Sequence, residues 1–185
     1  MKKNTSILTR GAMLLALALI FQSLKLIFPM IPPQIMQILM GSLVNMVLLL
    51  AAYYCGLGVA VTIAVVTPVM ALITGQLPNA WFIPCIAAGS AVYAVLFYAL
   101  KGRVVHKGLY QKASAWTAMI VAALAKFGVL YLLMVVIAIP AVIKNPDAIK
   151  TLSAVFSFTQ LITAICGGVV ALVLTHLIPG KVEAD

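Results

Sequence analysis

Acidic residues are almost missing from this chain. Its 185 residues include three, Asp147, Glu183 and Asp185, and charged residues of both signs make up only 8%. A soluble domain carries about 25% charged and roughly 45–50% apolar residues. Here 65% are hydrophobic, and the mean hydropathy is +1.21. Folding cannot hide the excess, because a domain of this size still exposes roughly 30% of its unfolded-chain surface. Disorder is excluded too, since it needs low hydrophobicity and high net charge. The composition predicts an all-α integral membrane protein.

Further absences narrow its chemistry. There is no GxxxxGK[ST] phosphate loop, so the chain is not expected to hydrolyse nucleotide itself, and no HExxH. The three cysteines, Cys55, Cys85 and Cys166, are widely spaced without a CxxC and read as small buried side chains. His106 and His176 fall near span ends and read as surface or snorkelling groups. No carboxylate lies inside an apolar run, which removes intramembrane carboxylate proteases, acid-motif lipid transferases and the usual Asp/Glu proton relays. No credible acid, base, nucleophile or metal cluster emerges. Neither enzymatic activity, a metal site nor a cofactor is expected.

What is present is a series of apolar runs punctuated by Gly, Pro and charge. They predict six transmembrane helices in a single domain over 1–185, with approximate spans 10–28, 34–55, 59–73, 80–100, 114–139 and 152–178. Pro29-Met30-Ile31-Pro32-Pro33 ends the first span and Gly56-Leu57-Gly58 separates the second from the third. Pro140 ends the fifth and Pro179-Gly180 the last, with 141–151 read as a loop. Lys2 and Lys3 before an apolar run resemble the start of a signal peptide. The run continues through Phe21-Gln22-Ser23-Leu24-Lys25 without a small-residue cleavage site, so the first span is expected to be retained.

Orientation follows from basic residues. The formal net charge is +9. With the N-terminus inside, Lys2, Lys3, Arg10, Lys101, Arg103, Lys107, Lys112 and Lys181 fall on inner segments, and only Lys144 and Lys150 on outer loops. The positive-inside rule therefore predicts that both termini are cytoplasmic, with the excess charge facing anionic lipid rather than nucleic acid. Trp116 and Trp81 fall at the inner and outer interfaces.

Two lysines break the apolar pattern. Lys25 lies near the outer end of the first span, where it can snorkel to headgroups or touch a ligand. Lys126 sits in the middle of the fifth span, where a charge costs about 2.5–3.5 kcal/mol on insertion scales. Without an acidic partner in the membrane it can shed its proton, bond to Tyr, Asn or carbonyl groups in a wet cavity, or meet an anionic ligand. A helix register that carries it to an interface, or a purely structural polar contact, also stays open. Asn45, Gln160 and Tyr131 are further polar groups within spans, Tyr131 standing five positions from Lys126 rather than a face-matching three or four. The outer loop adds Gln76, Asn79 and Trp81. Each alone suits interhelical bonding; together they converge on the outer half of the bundle. The candidate ligand-binding set is thus Lys126, Asn45, Gln76, Asn79, Trp81, Tyr131 and Gln160.

Small residues mark close helix approach: Ala12 and Ala16 one turn apart, and Gly167-Gly168 with Ala171. Thr9-Arg10 leading into Ala12-x-x-x-Ala16, six short spans and no ATPase motif together resemble a substrate-binding S component of an energy-coupling-factor transporter. The loop Gly75-Gln76-Leu77-Pro78-Asn79 is also similar to one in tryptophan-transport proteins of the same general type. The resemblance covers the whole chain in architecture and rests locally on a degenerate Ala-x-x-x-Ala. It implies a bacterial plasma-membrane subunit that captures a small vitamin-like nutrient, anionic or carboxylate-bearing, from outside. Its partners would be a transmembrane coupling protein, met through Ala12 and Ala16, and two cytoplasmic ATPases that drive a cycle in which the S component topples within the bilayer. Two other readings compete: a stand-alone secondary carrier or facilitator, disfavoured by the lack of an inverted repeat, and a non-transport scaffold.

Overall fold

The computed structural model describes residues 2–103 and 109–177. His106, Lys107, Pro179-Gly180, Lys181, Glu183 and Asp185 lie outside the described residues, as do the side chains of Lys2, Lys3, Arg103 and Lys112. The described chain is helical without strands: α1 Lys2–Gln22, α2 Leu24–Ile27, α3 Pro33–Tyr54, α4 Leu57–Ile73, α5 Phe82–Arg103 and α6 Leu109–Leu130. A π-helical stretch, Tyr131–Ala138, then leads into α7 Ile139–Val142, followed by α8 Pro146–Val155 and α9 Phe158–Leu177. Thr5–Gln22, Pro33–Tyr54, Phe82–Lys101, Ala115–Val142 and Pro146–Leu177 are long and apolar enough to cross a bilayer. The sixth, α4, has 17 residues, a rise of about 25 Å against hydrocarbon of roughly 30 Å.

Local chemistry sets most boundaries. Pro32 and Pro33 open α3, where a fixed φ is favourable and a missing N–H costs nothing. Gly56 at φ +91° turns the chain between α3 and α4. At the end of α4, Gly75 has φ +68°, its N–H bonds Leu72 O at 3.0 Å, and the N–H of Gln76 bonds Ala71 O at 2.9 Å. These two bonds form a Schellman cap, which holds Gln76 in a defined place. Within α4, Pro68 interrupts the backbone ladder beside Thr67, whose hydroxyl donates to Ile63 O at 2.8 Å.

Two boundaries differ from expectation. The fifth span does not stop at Pro140 but runs to Val142. Pro140 sits in the first turn of α7, and the missing proline N–H is accommodated by the widened π-helical turns just before it. The segment expected as a loop contains α8, and helix α9 begins at Phe158, within the apolar stretch Pro146–Leu177. Asn145 caps α8, its Oδ1 accepting from the N–H of Asp147 at 2.9 Å and of Ala148 at 3.4 Å. Pro146 occupies the first turn and Asp147 faces the positive helix end.

Helix α3 packs against α1, α4, α5 and α9. Its contact with α9 is close because glycines face it: a Cβ on Gly167 would lie 2.8 Å from Asn45 Cβ and 2.9 Å from Met46 N, and one on Gly41 2.9 Å from Thr163 Cγ2. One buried apolar cluster, including Val47, Leu48, Ile63, Tyr93, Phe97 and Met119, fills the half of the bundle where α3 ends. A second, including Leu77, Phe82, Leu130, Met134 and Phe156, surrounds the other end. At the closed end, Lys101 Nζ donates to Ala52 O at 2.6 Å and Tyr53 O at 3.0 Å, and lies 4.8 Å from the ring centroids of both Tyr53 and Tyr98. A cation there completes the last turn of α3 and complements its dipole.

Candidate ligand-binding cavity

Beside the second apolar cluster, whose Ala71, Leu77 and Phe156 line it, lies a cavity of about 270 Å3, just below the roughly 300–1,000 Å3 typical of small-molecule sites. One wall is a stripe of α3. Gln34, Gln37, Gly41 and Asn45 recur at helical spacing and all line the cavity. Exposure falls along this stripe, from exposed Gln34 through half-buried Gln37 to Asn45, which is 3% exposed. The cavity therefore opens where α3 begins and has its floor near the middle of the bundle.

Lys126 stands at that floor, 3% exposed, on the apolar stretch Ala115–Val142. Its Nζ donates to Asn45 Oδ1 at 2.6 Å and lies 5.3 Å from the centroid of the Tyr93 ring. The other end of the Asn45 amide donates to Thr163 Oγ1 at 3.3 Å, and Thr163 in turn donates to Gln160 O at 3.0 Å. This chain of bonds orients the amide with its oxygen toward the ammonium. Tyr93 is held in turn, its hydroxyl donating to Ala164 O at 2.7 Å. Among the described residues the sole acid is Asp147, exposed on α8. Lys126 thus has a neutral hydrogen-bond partner and a ring face, but no counter-ion there. An ammonium has three donors; with one on Asn45, two are available to something in the cavity.

Thr67 of α4 and Ser90 of α5 add hydroxyls to the lining, both buried. At the mouth, Gln22 of α1 and Gln76 of the α4–α5 loop clasp each other. Gln22 Nε2 donates to Gln76 Oε1 at 2.8 Å, and Gln76 Nε2 donates to Gln22 O at 2.7 Å and Thr74 Oγ1 at 2.6 Å. Lys25, exposed on α2, also lines the mouth, and Thr151, Leu152 and Val155 bring α8 against it.

Of the residues expected to bind ligand, the cavity brings together Lys126, Asn45, Gln76 and Gln160. Asn79, Trp81 and Tyr131 are not in its lining. Asn79 Oδ1 accepts from the Trp81 N–H at 3.0 Å within the loop, Trp81 is 71% exposed, and Tyr131 is 46% exposed against Phe127. Sequence reasoning missed Gln22, Gln34, Gln37, Thr67, Ser90 and Thr151. The polar stripe on α3 was the available signal for two of them. Ala12 and Ala16 are exposed on α1, between exposed Leu8 and Ile20. No three His, Cys, Asp or Glu side chains converge among the described residues.

A helical bundle of membrane-crossing length around a polar-floored cavity defines a multi-pass membrane protein built to bind a small molecule. A family model for the substrate-specific component of ECF transporters matches residues 7–179, and the chain belongs to that family. Such components are transport subunits that bind small-molecule substrates and work with a membrane coupling protein and ATPases. No curated protein and no solved structure matches the chain.

Proposed function

We propose that this protein is the capture subunit for a small, partly apolar nutrient whose anionic group pairs with Lys126. The observation that carries the reading is a buried lysine at the floor of a cavity, held by Asn45 and Tyr93 with no acid in the cavity lining among the described residues. Burying a charge without a partner is costly, and an arriving carboxylate supplies that partner through charge-assisted bonds. Asn45, Gln76 and Gln160 are the further contacts in this reading. Both termini face the cytoplasm of a bacterial cell, as the distribution of basic residues indicates, and the cavity then opens outward.

The exposed, small-residue face around Ala12 and Ala16 supports a docking role for α1, since small side chains let a partner helix approach closely. ATP-driven delivery through that partner completes the proposal. Copurification from native membranes, with mass spectrometry of proteins and retained small molecules, tests it. Recovery of a coupling protein with two ATPases, lost in Ala12→Trp/Ala16→Trp, is the expected result. A retained anion should be lost in Lys126→Gln. Recovery of the wild-type chain without partner or ligand would refute the reading.

A further inference from the structure

The cavity changes chemistry with depth. Its floor is polar, formed by Lys126, Asn45, Thr67 and Ser90. Between Asn45 and Gln37 the α3 wall is apolar, Met40, Gly41 and Val44, and Pro68, Ala71, Ile86 and Phe156 add apolar lining, with Gln160 and Thr151 as further polar groups. The mouth is polar again: Lys25 stands among the carboxamides of Gln22, Gln34, Gln37 and Gln76. Among the described residues no acidic side chain lines the cavity. The stretch of α3 from Gln34 to Asn45 alone rises about 16 Å, so the two lysines serve opposite ends of an elongated space. Phe156 is the sole aromatic side chain in the lining among the described residues, and one ring does not flank a planar ring system on both faces.

We propose that the occupant is an elongated molecule carrying an anionic group at each end of an apolar middle. One anion reaches Lys126 and the other stays at the mouth with Lys25. The proposal rests on the reading of Lys126 as an anion-binding group and adds the second charge. A molecule with one anionic head would leave its apolar tail against Lys25 and the glutamine side chains. An amino-acid zwitterion would bring an ammonium into walls that offer no carboxylate. The doubly anionic form alone matches all three layers in sign and polarity.

The test uses the purified full-length protein in lipid nanodiscs and three probes of matched length, with backbones of about six to ten carbons. They are α,ω-dicarboxylates, their half-amides (one carboxylate, one primary amide), and ω-amino acids. Binding is measured by calorimetry at low and high salt. The dicarboxylate should bind about 1.5-fold to fivefold tighter than the half-amide, the worth of one exposed ion pair. That advantage should shrink at high salt and vanish in Lys25→Gln. Lys126→Gln should weaken both acids by a larger factor, since its contact is buried. Equal binding of dicarboxylate and half-amide by the wild type would overturn the second anion while leaving Lys126 in place. Unchanged binding of both acids in Lys126→Gln, or no binding by any acid, would overturn the underlying reading as well. Preference for the ω-amino acid would overturn the proposal outright.

Discussion

Replacing Gly167 with alanine should loosen the whole bundle and its cavity together. The added methyl would lie 2.8 Å from Asn45 Cβ and 2.9 Å from Met46 N, and it would also meet the carbonyl oxygen of Ser42. Two of these obstacles are backbone and cannot swing aside as a side-chain tip can. To reach ordinary contact, α3 and α9 must part along the seam or the backbone must shift there. Overpacking of this kind costs about 1–3 kcal/mol, and the unyielding backbone places it at the upper end. Against this stands a gain of about 1 kcal/mol from alanine's helix propensity over glycine. The net is about 2 kcal/mol destabilising, or about 4–8 °C in Tm for a chain of this size. Thermal unfolding in detergent measures it, with a thiol-reactive dye reporting on buried Cys55 in a Cys85→Ser/Cys166→Ser background. Gly128→Ala is the control, because nothing lies within 4 Å of a Cβ there and alanine should be neutral or stabilising. If Gly167→Ala melted at or above the wild type, the tight α3–α9 seam would be refuted.

Lys126→Met should remove an insertion cost of about 2.5–3.5 kcal/mol while stranding Asn45 Oδ1 at about 1–3 kcal/mol. The ligand-free protein should thus melt at or slightly above wild type, yet lose binding of the retained anion. A large drop in Tm would show that the lysine is structural. Asn145→Ala removes two hydrogen bonds from the first turn of α8 and should cost about 1 kcal/mol locally. Hydrogen exchange would then rise over Pro146–Val155 with the core α3–α9 amides unchanged; uniform change across the bundle would contradict an independently capped α8.

The spans were legible because apolar runs in this chain are long and their breaks are chemical: Pro29, Pro32 and Pro33, Gly56, and Gly75 all punctuate where the helices turn. Asn45 and Lys126 were legible for the same reason, since a polar residue inside such a run has to be accounted for. Helix α8 was missed although Asn145-Pro146-Asp147 carries a cap, a first-turn proline and an acid in order. The π-helical stretch was not readable, because Tyr131–Ala138 is almost uniformly apolar and shows no periodicity from which a wider turn could be told. Tyr131 illustrates how angle decides a site. Five α-helical positions place it about 140° around from Lys126, and it stands exposed while Lys126 is buried. The loop residues Asn79 and Trp81 depend on a turn whose direction no local pattern encodes. Gln34 and Gln37 were readable in hindsight from their spacing with Gly41 and Asn45, but near a span end glutamine also suits the interface.

The α3–α9 seam and the cavity floor are one construction. Gly41 and Gly167 bring the helices close, and that closeness places Asn45 within reach of Thr163, which fixes the amide that holds Lys126. The seam is therefore closely packed, and it sets the side-chain hydrogen bond from Lys126 to Asn45. If an anion pairs with Lys126 as proposed, it binds the folded state and has no equivalent site in the unfolded chain. It must raise stability by RT ln(1 + [L]/Kd), about 2.7 kcal/mol at a hundredfold excess over Kd. The same term reports on the floor alone if the mouth is altered, and on both ends if it is not. If Lys126 is the anion-binding group proposed above, this stabilisation is lost in Lys126→Gln and kept in Lys25→Gln apart from the smaller share from the mouth.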